Sequence, residues 1–264
     1  MREMELDGHA GRLYARCWEG EQPDHVVLLV HGYGEHIGRY DAVADLLARG
    51  GAVVYGLDHV GHGRSEGERV LIEDFERVVD DVELLRERAT TEHPDLPVAL
   101  VGHSMGGMIA ARHAQRYGPA LACVVLSGPV LGHWQAVDDL LAAEEIPETP
   151  IDPSTLSRDP DVGAAYVADP LVWHGAFKRP TLEALRTTIE RINAVGTVTG
   201  VPMLWLHGEE DRLVPHAGSA TGWPLIAKTG DQAKAYPGAR HEIFNETNRE
   251  EVLDDVVAYI RRHV

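Results

Sequence analysis

Three things are scarce in this chain: cysteine, basic charge and long apolar runs. Cys17 and Cys123 are the only cysteines in 264 residues. Both lie in strand-like runs without disulfide or metal spacing, which excludes a disulfide framework and leaves buried free thiols as the reading. Lys and Arg number 24 against 42 Asp and Glu, a formal net charge of −18. Such a surface repels phosphate backbones and anionic headgroups. It argues against nucleic acid and against tight binding to an acidic membrane, and leaves a neutral lipidic substrate open. An acidic excess of this size also fits adaptation to salt. No apolar run reaches about 18 residues, and Met1-Arg2-Glu3-Met4-Glu5 holds no apolar signal core, so a cytoplasmic location is expected.

What is present is an ordinary globular composition, 44% hydrophobic and 25% charged, at the upper edge of the length one core organises. Apolar runs of strand length at 25–30, 52–57, 97–102, 121–127, 201–207 and 232–236 alternate with helical patterns near 39–49, 74–91, 105–117, 181–195, 216–229 and 247–262. Strands buried on both faces and alternating with helices predict a mostly parallel α/β sheet. Residues 2–6 and 12–18 predict a β-hairpin at its edge. The rhythm breaks between 131 and 180, where Pro147, Pro150, Pro153, Pro160, Pro170 and Pro180 separate short helix-like pieces. A structureless stretch of that length is improbable in a compact domain, so a small helical insertion is expected. Its place in the chain sets it above the strand C-termini, where open α/β sheets bind ligands. The expected organisation is a core of residues 1–130 and 181–264 with a cap over 131–180.

The chemistry is carried by Gly102-His103-Ser104-Met105-Gly106, set between the strand Val98-Ala99-Leu100-Val101 and a helical stretch from Met108. Strand, Gly-x-Ser-x-Gly, helix is the context in which a serine stands out on a tight turn as a nucleophile. The turn admits only small residues beside Ser104, and the helix N-terminus favours developing negative charge. A serine hydroxyl needs a base, and the base needs a partner that orients it. On this architecture the chain order is serine, acid, histidine. Asp211, in the loop leaving the strand 202–207, is the expected acid, with Glu210 as its rival. His241 follows the last strand by a few residues and is the expected base. Position singles it out among 15 histidines. The oxyanion of acyl transfer needs donors. The expected ones are the backbone N–H groups of Met105 and of Tyr33, the latter in the His31-Gly32-Tyr33-Gly34 loop.

With these residues placed, the chain resembles the monoacylglycerol lipases of the α/β-hydrolase superfamily, especially bacterial ones. The resemblance rests on His31-Gly32-Tyr33-Gly34-Glu35-His36-Ile37-Gly38-Arg39-Tyr40, Leu57-Asp58-His59-Val60-Gly61-His62-Gly63-Arg64-Ser65, Gly102 to Gly107, Asp169-Pro170-Leu171-Val172-Trp173-His174-Gly175 and Tyr236 to Glu242. It spans nearly the whole chain in order. It implies an α/β-hydrolase fold and hydrolysis of monoacylglycerol to fatty acid and glycerol. Ser104, Asp211 and His241 would carry the reaction, with no metal or organic cofactor. Two stretches depart from the pattern. Val60 stands where a basic residue is usual, and Thr221-Gly222-Trp223-Pro224-Leu225 interrupts a helix expected to run smoothly.

Other readings are set beside this one. A broad carboxylesterase, lysophospholipase or thioesterase would use the same three residues. A non-catalytic binding protein would lack one of them. Dehalogenase or epoxide hydrolase chemistry would need an aspartate where Ser104 stands. His59 and His62 beside Asp58 lack a third close ligand for a metal, which favours a structural role. Glu35 and Arg39 read equally as a helix-start pair or a substrate contact. Val137, Leu140 and Leu141 form an apolar stripe among acidic residues, expected to pack inward. Transient contact of the cap with a lipid surface or micelle through Trp134 is the alternative.

Overall fold

A computed structural model describes residues 1–264. In chain order its elements are β1 (Arg2–Gly8), β2 (Gly11–Trp18), β3 (His25–Val30), α1 (Asp41–Arg49), β4 (Ala52–Leu57), α2 (Phe75–Glu92), β5 (Val98–His103), α3 (Met105–Tyr117), β6 (Cys123–Ser127), α4 (Gln135–Ala142), α5 (Pro160–Ala168), α6 (Arg179–Val195), β7 (Met203–Gly208), α7 (His216–Ile226), β8 (Gln232–Tyr236) and α8 (Arg249–Arg261). The strands form one sheet in the order β1-β2-β4-β3-β5-β6-β7-β8. β1 and β2 are the expected edge hairpin, antiparallel to each other, β2 is also antiparallel to β4, and the other neighbours are parallel.

Alternate strand residues feed two cores. Val26, Leu28 and Val30 join α2, α3 and α6 in a cluster of 43 residues, while Val27 and Leu29 join α1 and α8 in a cluster of 25. Burial on both faces explains why β3 to β7 read as continuous apolar runs. Cys17 and Cys123 are buried free thiols within these cores. The chain order reverses around β3, which lies between β4 and β5. Val30 pairs with Gly102, so the loops leaving β3 and β5 emerge side by side at the switch point, where such sheets open a crevice.

Between β6 and β7 the chain forms α4, a 3-10 turn at Pro153–Thr155, α5 and α6. Pro153, Pro160 and Pro180 fall in the first turns of their helices, where a missing N–H costs nothing. Asp152 and Asp159 cap two of them by accepting from Ser154 N and Asp161 N. Val137 packs inward with Leu140 and Leu141 against the larger core.

The two departures have local explanations. Val60 is buried in the larger core, where the loop needs an apolar side chain. Helix α7 is not broken at 221–225 but runs through Pro224 to Ile226. Gly222 is required there, because a Cβ would collide with the backbone of Gly132 in the loop after β6.

Candidate active site

Ser104 occupies the junction of β5 and α3 with φ 58° and ψ −119°. A left-handed φ at a non-glycine residue costs about 1–3 kcal/mol and persists only where surroundings impose it. Here they do. A Cβ at Gly102 would strike Gly106 O, and one at Gly106 would strike Val30 O, so the turn closes only with glycine on both sides. The Ser104 N–H donates to Ser127 O at 2.9 Å, and its carbonyl accepts from Met108 N and Val130 N at 3.2 Å each. The peptide is held from both ends and its hydroxyl faces a cavity.

His241 lines the same cavity, and Asp211 is buried beside it. His241 Nδ1 lies 2.7 Å from Asp211 Oδ2. Asp211 Oδ1 accepts from Leu213 N and Val214 N at 2.9 Å each, which fixes the carboxylate on its loop. Glu210 is exposed, so the structure brings Asp211 and not its rival to His241. Burial alone would raise the Asp211 pKa, but His241 and His207 outweigh it and hold the carboxyl far below its usual range. For His241 burial opposes protonation, while the Asp211 charge, with Glu242 and Glu35 behind it, raises the pKa above the ordinary histidine value. His103 lies beside His241 with ring centroids 4.8 Å apart, and burial next to it pushes His103 down to about 4.

The β3 loop supplies the third side. A Cβ on Gly32 would stand 3.2 Å from the Ser104 Cβ. Glu35 Oε1 accepts from Gly32 N and from the Tyr40 hydroxyl, both at 2.7 Å. The next amide, Tyr33 N–H, donates to no protein acceptor. Met105 opens α3, so its N–H likewise has no intrahelical acceptor. Arg39 bridges Glu35 Oε2 at 2.6 Å to Glu242 at 2.8 and 3.0 Å, and Asn245 Nδ2 adds a 2.8 Å bond to Glu242. Glu35 and Arg39 are thus more than a helix-start pair: they tie the loop carrying Tyr33 to the residue after His241. Burial would raise the Glu35 pKa, but Arg39, His103 and the hydrogen bonds from Tyr40 and Gly32 together lower it.

The cavity spans about 420 Å³ including its mouth. Ser104 and His241 line it together with the charged Glu35, Arg39 and Glu242 and the apolar Trp134, Ile151, Leu156, Phe177 and Leu213. Residues 131–180 furnish most of that apolar lining. They are anchored by Glu242 N to Leu156 O at 2.7 Å, Trp173 N to Gly34 O at 2.7 Å, and His36 Nε2 to Asp169 Oδ2 at 2.8 Å. Trp134 turns inward, donating Nε1–H to Leu213 O at 3.0 Å, and Phe177 stacks on the Tyr33 ring at 4.3 Å.

His59 and His62 pack instead on His31, with centroids 4.2 and 5.4 Å from it. Burial lowers all three pKa values, that of His62 to about 4. His31 Nε2 accepts from His59 N at 3.0 Å, a structural use of the ring. Spacing alone singles out neither Glu242 as the partner of Arg39 nor His207 beside Asp211. The only signals are Glu242's place next to His241 and His207's place four residues before Asp211.

The family described as serine aminopeptidase, S33, matches residues 21–248. A monoacylglycerol lipase of Mycolicibacterium smegmatis is 40% identical over 251 residues, covering 92% of this chain and 90% of that protein. The chain belongs to the monoacylglycerol lipase-like serine hydrolases. Human monoglyceride lipase is 34% identical, over 89% of this chain and 81% of its own. Among solved structures, a monoacylglycerol lipase of Paleococcus ferrophilus aligns with a TM-score of 0.80 at 28% identity, covering 96% of this chain and 99% of that one. A carboxyl esterase of Bacillus coagulans in complex with glycerol aligns at 0.82 and 25%, over 99% and 98%. The hydrolase therefore has the α/β-hydrolase fold and is a serine ester hydrolase. No helix in it is long and apolar enough to cross a membrane.

Proposed function

We propose that this hydrolase cleaves monoacylglycerol to fatty acid and glycerol, with Ser104 as nucleophile, His241 as base and Asp211 as the acid that orients it. The observation carrying this reading is the mixed lining of the cavity: Ser104 shares it with apolar side chains and with the charged Glu35, Arg39 and Glu242. An acyl chain suits the apolar side chains and two free glycerol hydroxyls suit the charged ones. The site has a place for one chain and one polyol. In this reading residues 131–180 act as a cap over the core of 1–130 and 181–264, and its apolar side chains receive the chain. The glycerol in the Bacillus coagulans esterase complex is consistent with a polyol-sized site on this fold.

Ser104 Oγ attacks the ester carbonyl as His241 Nε2 takes its proton. The Asp211 charge stabilises the imidazolium without accepting the proton. Negative charge gathers on the carbonyl oxygen, where the free N–H groups of Tyr33 and Met105 serve as donors, each worth about 3–4 kcal/mol in the transition state. Collapse expels the glycerol alkoxide, which His241 protonates. Water, activated by the same ring, then releases the fatty acid. The test is glycerol released from monomeric, sub-micellar monoacylglycerol, with di- and triacylglycerol run alongside. Release from the monoacyl ester alone supports the reading. Hydrolysis of a small activated acetate without any glycerol release would replace it with a general esterase.

A further inference from the structure

His207 is the second-last residue of β7 and is fully buried. Its Nε2 lies 2.9 Å from Val214 O and 3.1 Å from Asp211 Oδ2. A carbonyl oxygen only accepts, so the ring proton sits on Nε2 and both oxygens share it. Nδ1 has no partner at all. The ring is wedged between Trp205, stacked 5.2 Å away, and His216 of α7 at 5.6 Å. Asp211 Oδ2 is also the oxygen that faces His241 Nδ1. One carboxylate oxygen therefore serves two histidines, one open to the cavity and one enclosed behind it.

We infer that His207 is a positioning residue for the proposed reaction, whose Nε2–H draws off part of the charge on Asp211 Oδ2 and so limits how strongly that carboxylate holds the His241 imidazolium. The inference rests on the reading of Ser104, His241 and Asp211 as the reacting set. A carboxylate turns easily about its last torsion. The Leu213 and Val214 amides pin the carboxylate through Oδ1, and His207 shares with His241 the charge on Oδ2. With that donor gone, Oδ2 directs more of its charge at His241 and stabilises the imidazolium too well, so the base becomes stronger. Loosening of the fold would have the opposite sign, because a longer Asp211–His241 bond weakens the base. The other groups facing the pair are His216 from α7, His103 from β5, Glu35 from the β3 loop and Glu242, and the variants below leave them unchanged.

The experiment measures kcat, KM and the pH dependence of kcat/KM on a small activated ester for the full chain and for His207→Leu and His207→Gln. The glutamine amide nitrogen reaches the place of Nε2, and the leucine has no donor. His207→Leu is expected to lose about tenfold or more in kcat with little change in KM, and to move the acid limb to higher pH. His207→Gln is expected to restore both. Should the leucine variant fail to fold, His207→Asn, whose donor falls short of Asp211, takes its place. A variant without a donor that keeps wild-type kcat and acid limb overturns the inference, as does failure of glutamine to restore them. Ser104→Ala and His241→Ala run in the same series. Activity surviving in those two defeats the reacting set itself, a result separate from any at His207.

Discussion

Two regions line the same cavity, and they are held by different means. The loops leaving β3, β5, β7 and β8 rise from strands embedded in clusters of 43 and 25 buried residues. Segment 131–180 reaches the larger cluster through Val137, Leu140 and Leu141, has a satellite cluster of Leu156, Tyr166 and Val172, and is further pinned by hydrogen bonds to those loops. The first region fixes atoms: a strained Ser104, a carboxylate with every lone pair engaged, and a bridge from Glu35 through Arg39 to Glu242. The second presents apolar surface. In the proposed reaction the difference is a division of labour, with chemistry on the sheet side and recognition of the acyl chain on the other.

Substitutions can break that division. On the sheet side, Ser104→Ala should lower kcat by about a millionfold while leaving substrate binding intact, as measured by turnover and by equilibrium binding of a monoacylglycerol. Asp211→Asn should cost about ten-thousandfold in kcat, because the amide can hold His241 in the wrong tautomer. His241 must be unprotonated to act as base, and the Asp211 charge raises its pKa. The acid limb of kcat/KM should therefore fall above the ordinary histidine value, and activity should decline as the pH drops through it. On the other side, Phe177→Ala should raise KM about tenfold with kcat nearly unchanged, since the lost contact is made equally before and in the transition state. A large fall in kcat there would erase the distinction. The smallest effect belongs to Val167, which is 59% exposed on α5. Val167→Ser should change nothing with monomeric substrate, and a loss seen only with micelles would mean that this face touches lipid.

The two regions also differ in how far the sequence discloses them. Strands such as Val26 to Val30 alternate between two cores, so hydrophobic runs and their spacing disclose the sheet to within a residue or two. Ser104, Asp211 and His241 are legible because strand ends carry them in a fixed order. The arrangement of 131–180 is not legible, because proline spacing marks helix starts without saying which face turns inward. Trp134 could equally have pointed to solvent. Its hydrogen bond to Leu213, 79 residues away, decides the matter. The same holds for Arg39 and Glu242, 203 residues apart, and for His207, whose meaning lies in the carboxylate it shares. In α7, Pro224 suggests a break that the helix does not make, because the fixed contact is at Gly222 instead.

The most direct test of the central claim is intact-protein and peptide mass spectrometry after brief exposure to a monoacyl phosphonate, an ester mimic that traps serine nucleophiles. The account predicts one adduct, on the peptide containing Ser104, absent in Ser104→Ala and formed far more slowly in His241→Ala. An adduct elsewhere, or labelling of Ser104 at an undiminished rate without His241, would contradict it.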